Sequence, residues 1–171
     1  DRFFFFSRLK MDDKCVDDEL QKNFNYLEQL CGTPNIYRRF DDTKPGNSKY
    51  MSPHQHATAI YKYFQRNKDN ICLELEFDLA TVMDLLNQNK KENRLYYKIR
   101  DVYLRDHNTT TRHHIKKLFY HFKTILEPDK SSINGLTLNY ITVLFAPLII
   151  HVKINDESNP VLIATIQTSI F

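Results

Sequence analysis

The most apolar stretch of this chain is LTLNYITVLFAPLIIHV, which runs from Leu136 to Val152. Pro147 interrupts it, and it is shorter than the about 20 apolar residues that a membrane-spanning helix needs. The turn dipeptide Asn134-Gly135 precedes the stretch, and the polar loop 155–160 follows it. The pattern therefore predicts the buried central helix of a globular core and no transmembrane segment.

On both sides of this stretch, apolar residues recur at the three- and four-residue spacing of amphipathic helices. The first such pattern lies at 15–30, and Gly32 is a natural stop after it. Ser52 and Pro53 are a typical N-cap and first residue for the next helix. Further helical patterns cover 78–88, 92–105, 111–126 and 161–171.

These patterns together predict the fold class. The segment LELEF at 73–77 alternates like a strand, but the helical pattern from Asp78 onward favours helix around it. We expect an all-α fold of about seven or eight helices with little or no sheet. A chain of 171 residues is long enough for one domain, 1–171, and its start at Asp1 is typical of a domain excised from a larger protein.

Composition excludes several classes of protein. The three glycines of the chain are not spaced along the sequence as in a dinucleotide-binding, P-loop or α/β-hydrolase motif, so these three classes of protein are excluded. The 24 basic and 21 acidic side chains give a net charge of +3, whereas nucleic-acid binders usually carry a clear basic excess. We therefore expect no nucleic-acid partner. Three widely spaced cysteines without a CxxC motif favour reduced thiols in an intracellular protein.

The histidines at 54, 56, 113 and 114 do not predict a metal site. Residues one or two apart on a helix point in different directions, because successive residues turn by about 100°. No ring of cysteines or carboxylates accompanies them in the sequence. We expect this domain to hold no metal and no cofactor.

Two segments resemble signature segments of Rho GTPase-activating (RhoGAP) domains. NGLTLNYITVLFAP, at 134–147, resembles the central-helix signature of that family. IKKLFYHF, at 115–122, resembles the helix that precedes it, with His121 in the family's histidine position.

Two further segments extend the resemblance toward the start of the chain. YLE at 26–28, followed by TPNIYR at 33–38, resembles the segment that carries the family's catalytic arginine. KYFQR at 62–66 resembles the family's basic helix. The four segments occur in the family's order and together span about 26–150, so the resemblance implies a RhoGAP-like architecture.

The resemblance also implies an activity. A RhoGAP domain is not itself a GTP hydrolase but binds a Rho-family small GTPase, which brings its own GTP and Mg²⁺. It supplies an arginine that stabilises the charge of the transferring phosphoryl group, an effect of about 10³ to 10⁵ in rate. Arg38 is the implied catalytic arginine, and Arg39, next to it in the same loop, is the rival candidate for that role.

Four further residues are implied contacts of the GTPase. Lys62 and Arg66, four residues apart on one helical face, would orient the arginine loop and meet acidic residues of the partner. Tyr140 aligns with the family's interface asparagine. Asn139 lies one position earlier, about 100° away on the helix.

The chain departs from the family where catalysis is concerned. Asn35 stands in place of a glycine, and Arg39 follows Arg38 in place of a serine-glycine pair. Tyr140 replaces an amide with a single hydroxyl on a bulkier side chain. The stretch from Arg38 to the helix of Lys62 is also shorter than in the family. Tyr140 and this shortened loop motivate a second hypothesis: a catalytically degenerate RhoGAP-like domain that binds a GTPase or another protein as a scaffold.

A third hypothesis concerns the helix at 111–126. The basic residues at 112, 116, 117 and 123, with Tyr120 among them, form a pattern that suits nucleic acid or acidic lipid. The ordinary alternative is the outer face of a packed helix.

Under the RhoGAP hypothesis the domain is cytoplasmic and is recruited to membranes by other domains of its parent protein.

Overall fold

The fold is known from a computed structural model, which describes residues 17–30, 33–43, 50–77, 100–105, 109–154, 160–161 and 163–164. The predictions for Gly32, for the helix at 78–88 and for most of 92–105 and 161–171 lie outside the described residues.

The first two helices begin at side-chain caps. Helix α1 spans Asp18–Gln29, and the Asp17 carboxylate accepts hydrogen bonds from the first-turn amides. Helix α2 spans Pro53–Arg66, and Ser52 and Gln55 form a reciprocal capping box at its start. The predicted start of α2 at Ser52 and Pro53 is therefore confirmed. The two helices pack against each other, and α1 also packs against α4.

Four more helices follow along the chain. They are α3 at Lys68–Ile71, α4 at Thr109–Ile125, α5 at Pro128–Asn134 and α6 at Leu138–Ile149. Residues 100–105 are also helical. Gly135, after α5, has φ 68°, a left-handed conformation that suits glycine at the end of a helix.

The expectation of little or no sheet is met by one small sheet of two strands within the described residues. Strand β1, Leu73–Phe77, pairs in parallel with strand β2, Ile150–Ile154, so that Leu73 lies opposite Ile150. Every second residue of each strand is buried, which is the two-residue period of a sheet with one covered face. The described part of the chain is therefore mostly helical, with a two-stranded parallel sheet.

The central helix is confirmed but is shorter than expected, because it ends at Ile149 and not at Val152. Its Phe145 is fully buried and meets the rings of Tyr37, Tyr61 and Phe122 edge-on. Ile141, also fully buried, lies one turn earlier on the same helix. The residues that follow are β-branched at 150, 152 and 154, and such residues favour strand.

No single helix within the described residues has the length and apolar character needed to cross a membrane. Helices α5 and α6 meet that requirement only when they are taken together, across a bend of 85°.

Candidate functional site

The candidate site is built around the turn at 34–38, which leads from α1 toward α2. Asn35 and Tyr37 both have left-handed backbone, with φ of 60° and 62°. The carbonyl of Asn35 accepts hydrogen bonds from the amides of Arg38 and Arg39, and the Asn35 amide donates to the carbonyl of Asn134. Asparagine tolerates this conformation better than most residues, which explains how Asn35 can occupy the position of a glycine.

Arg38 lies on the surface beside the start of α6. Its Nη2 donates to the carbonyl oxygen of Gly135 at 2.9 Å, and its guanidinium lies 4.9 Å from the centre of the Tyr140 ring. The Tyr140 hydroxyl in turn donates to the carbonyl oxygen of Tyr37 at 3.1 Å. The structure therefore brings Arg38 and Tyr140 into contact, with the aromatic ring supporting the arginine.

Lys62 is attached to the segment that follows the turn. Its Nζ lies 2.6 Å from Asp42 Oδ1, and the two side chains are 38% and 61% exposed. Such an exposed pair contributes about 0–1 kcal/mol of stability. Its consequence is mainly geometric, because it ties the chain just after the two arginines to α2.

Further hydrogen bonds fasten the same segment to the start of α2. The Asp41 amide donates to Thr58 Oγ1 at 2.8 Å, and Gln55 Nε2 donates to the carbonyl of Thr43 at 2.8 Å. Hydrogen bonds from Thr43, with smaller contributions from Ser52 and from the charge of Arg39, hold the pKa of Asp41 below its usual range. The turn is thus held at its start by the carbonyl of Asn134, the last residue of α5, and beyond its end by α2.

The remaining residues expected from the sequence, Arg39, Arg66 and Asn139, are exposed. Arg39 follows Arg38 directly, and Asn139 lies beside Tyr140 in the first turn of α6. Arg66 is in the last turn of α2, where a positive charge is favourable to the helix dipole.

A buried polar chain of Tyr37, His121, Glu28 and Lys117 lies beneath the turn. It was not predicted from the sequence, although Glu28, Tyr37 and His121 all lie in the segments that resemble the family. The Tyr37 hydroxyl lies 2.9 Å from His121 Nε2. His121 Nδ1 lies 3.2 Å from Glu28 Oε1, and Lys117 Nζ lies 3.2 Å from Glu28 Oε2. Tyr37 and His121 are both completely buried.

The protonation states of Glu28, His121 and Tyr37 follow from the geometry of the buried polar chain that they form. Burial opposes ionisation of Glu28, but hydrogen bonds from His121 and attraction to Lys117 outweigh it, so the pKa of Glu28 is lowered. Burial lowers the pKa of His121 and raises that of Tyr37 well above its usual range. Glu28 is therefore ionised near neutral pH, while His121 and Tyr37 are neutral.

The basic face expected on α4 is not a continuous solvent-facing stripe. Lys116 and Lys117 are buried, and Lys117 pairs with Glu28. Lys123 and Tyr120, on the same helix, are exposed. A surface for nucleic acid or acidic lipid along this helix would therefore lack two of its expected cations.

Within the residues that the structure describes, no group of three or more His, Cys, Asp or Glu side chains could hold a metal ion. The chain matches no family model, no curated protein and no solved structure. The four sequence segments and the geometry around Arg38 are therefore the features that point to a function.

Proposed function

We propose that this domain has a RhoGAP-like architecture, binds a GTP-loaded Rho-family GTPase and inserts Arg38 to accelerate GTP hydrolysis. The observation that carries the proposal is the position of Arg38. It lies on the surface at a turn that is held at both ends, in contact with the start of the helix that resembles the family's central helix. A GTPase acts in the cytoplasm, so the domain would act there, recruited to membranes by other domains.

Arginine suits this reaction for physical reasons. Negative charge develops on the transferring phosphoryl group, and a guanidinium in trans stabilises it. The guanidinium has five N–H donors in a fixed plane, and the bond to Gly135 uses only Nη2. The other donors can reach a phosphate oxygen and the backbone of the partner together.

The other residues have supporting parts in the proposal. Tyr140 holds the guanidinium through its ring and takes the place of the family's asparagine. Lys62, through Asp42, restrains the chain that follows the arginines. Arg39, Arg66 and Asn139 are exposed and would contact the GTPase.

The test is single-turnover GTP hydrolysis by a panel of Rho-family GTPases, each with and without the domain. We expect acceleration by the intact domain and loss of about 10³-fold or more in Arg38→Ala. Arg39→Ala is the matched control, because it removes the adjacent exposed arginine. It should weaken binding while leaving the maximal rate nearly unchanged. No acceleration of any GTPase by the intact domain would contradict the proposal.

The second candidate function is binding without catalysis, and Tyr140 is the observation that favours it. Its ring occupies the space beside Arg38, where the family has a smaller amide. Binding to a GTPase loaded with a non-hydrolysable GTP analogue, together with no acceleration of hydrolysis, would select this function.

A further inference from the structure

We infer that the buried chain of Tyr37, His121 and Glu28 positions the turn that presents Arg38, and that Tyr37 is its positioning residue. Its effect on catalysis rests on the proposed function, whereas its effect on the turn does not. Tyr37 precedes Arg38 directly, so any rotation of the Tyr37 backbone redirects the arginine.

Only one arrangement of protons satisfies both hydrogen bonds that join Glu28, His121 and Tyr37. An ionised carboxylate only accepts hydrogen bonds, so Glu28 Oε1 requires a proton on His121 Nδ1. In a neutral imidazole, Nε2 is then an acceptor, and the Tyr37 hydroxyl must donate to it. The order from Glu28 to Tyr37 is therefore fixed, and the phenol is held in one direction.

The backbone conformation of Tyr37 is one that surrounding contacts must hold in place. A non-glycine residue at φ 62° is strained and persists only where its surroundings impose the conformation. Tyr37 is held at two ends: its hydroxyl bonds to His121, and its carbonyl accepts from the Tyr140 hydroxyl. Phenylalanine would fill the same core without the first of these bonds.

The same hydrogen bonds connect the turn to helices α1 and α4. Glu28 lies on α1 and His121 on α4, and the salt bridge to Lys117 holds the carboxylate from its other oxygen. The turn is thereby fixed to the packed interface of α1 and α4 through one hydroxyl. Loss of that hydroxyl should leave the core filled and loosen the turn.

The experiment compares Tyr37→Phe with Tyr103→Phe. Tyr103 is the matched control, because it is also buried and its hydroxyl donates to the carbonyl of Arg112 at 2.8 Å. Each variant loses one buried tyrosine hydroxyl and keeps its ring. The first measurement is native-state hydrogen exchange at the amides of Arg38 and Arg39, with the global free energy of unfolding measured beside it.

We expect exchange at these two amides to be about tenfold faster in Tyr37→Phe, which corresponds to about 1.4 kcal/mol of local opening. In Tyr103→Phe it should match the unmodified protein after correction for global stability. Equal exchange in both variants would overturn the inference. This measurement uses the domain alone, so it decides about the turn even if no GTPase is accelerated.

The second measurement is single-turnover hydrolysis at increasing domain concentration. A misplaced arginine should lower the maximal rate on the order of 10-fold to 100-fold, with little change in the concentration for half-maximal effect. Tyr103→Phe should leave both values unchanged. If the turn loosens in Tyr37→Phe while the maximal rate is unchanged, the catalytic part of the inference is wrong.

His121→Gln adds a test by a conservative variant. The amide oxygen of glutamine can accept the Tyr37 hydrogen bond, so slow exchange at Arg38 should be partly restored relative to His121→Leu. Equal exchange in these two variants would contradict the role of the His121 acceptor.

Discussion

At the scale of single residues, Tyr140 has two contacts that can be separated. Its ring supports the Arg38 guanidinium, and its hydroxyl donates to the carbonyl of Tyr37. The first contact needs only an aromatic face, whereas the second needs the oxygen. One side chain thus holds both the guanidinium of Arg38 and the backbone of the residue before it.

Tyr140→Phe should keep the ring and lose the hydrogen bond. We expect the free energy of unfolding to fall by about 0.5–1.5 kcal/mol, measured by chemical denaturation. Tyr140→Leu should in addition lose the cation–π contact, about 0.5–1 kcal/mol at an exposed site. Equal loss of stability in both variants would show that the ring does not support Arg38.

His121 predicts a pH dependence of stability. Burial lowers its pKa, so the folded protein binds fewer protons at this site than the unfolded chain, whose histidine pKa is about 6.5. Stability should therefore fall as the pH drops below about 6.5. Glu28, Lys117, Lys130 and Tyr37 are the titratable groups that act on His121.

The measurement is denaturation at a series of pH values, compared between the unmodified protein and His121→Gln. The variant should show a weaker decline because it lacks His121. Some decline should remain, because His56 and His114 also have pKa values lowered by burial and are present in both proteins. The lowered pKa of Glu28 adds a second loss of stability only as the pH falls below about 4.5. Identical pH profiles down to about pH 5 would contradict the assignment to His121.

At the scale of elements, the two strands differ most from what the sequence predicts. The start of α2 could be predicted because its signals are local: Ser52 and Pro53 are adjacent in the sequence. Strand β2 was hidden because its apolar residues continue the run of α6 without a turn residue between them. The alternation of buried Val152 with exposed His151 and Lys153 was present, but it overlaps the helical pattern.

The strand pairing can be tested by comparing its two faces. Leu75→Ala removes a completely buried side chain and should lower the free energy of unfolding by about 2–5 kcal/mol. Lys153→Ala removes an exposed side chain that pairs with Glu74 and should change it by no more than about 1 kcal/mol. Similar effects in chemical denaturation would contradict the buried face of β1.

At the scale of the whole molecule, Arg38 and Tyr140 lie in contact although they are 102 positions apart (140 − 38). The resemblance implied a role at a GTPase interface for both residues but did not specify that they touch each other. The buried chain could not be predicted, because hydrogen bonds between Tyr37, His121 and Glu28 join residues more than eighty positions apart. Periodicity identifies which residues are buried, but not which buried polar atoms meet. The GTPase-activating function itself stays a prediction.

The exposed arginines predict salt-dependent association with the GTPase. Arg39 and Arg66 lie on the surface, and charges of this kind raise association rates that fall as ionic strength increases. Arg66→Ala should slow association at low salt and reduce its salt dependence, measured by stopped-flow mixing with a GTPase. Lys123→Ala, which removes an exposed cation on α4, is the control and should change neither.

The parallel strand pair also constrains how this chain can fold. Leu73 and Ile150 are paired although they are 77 positions apart (150 − 73). The segment between them must therefore lose conformational entropy as a long loop closes, before the paired strands contribute any stability. Contacts of such sequence separation slow folding relative to a bundle of neighbouring helices. Helix α4 lies inside this loop, and the ladder can form only after both ends of the loop have come together.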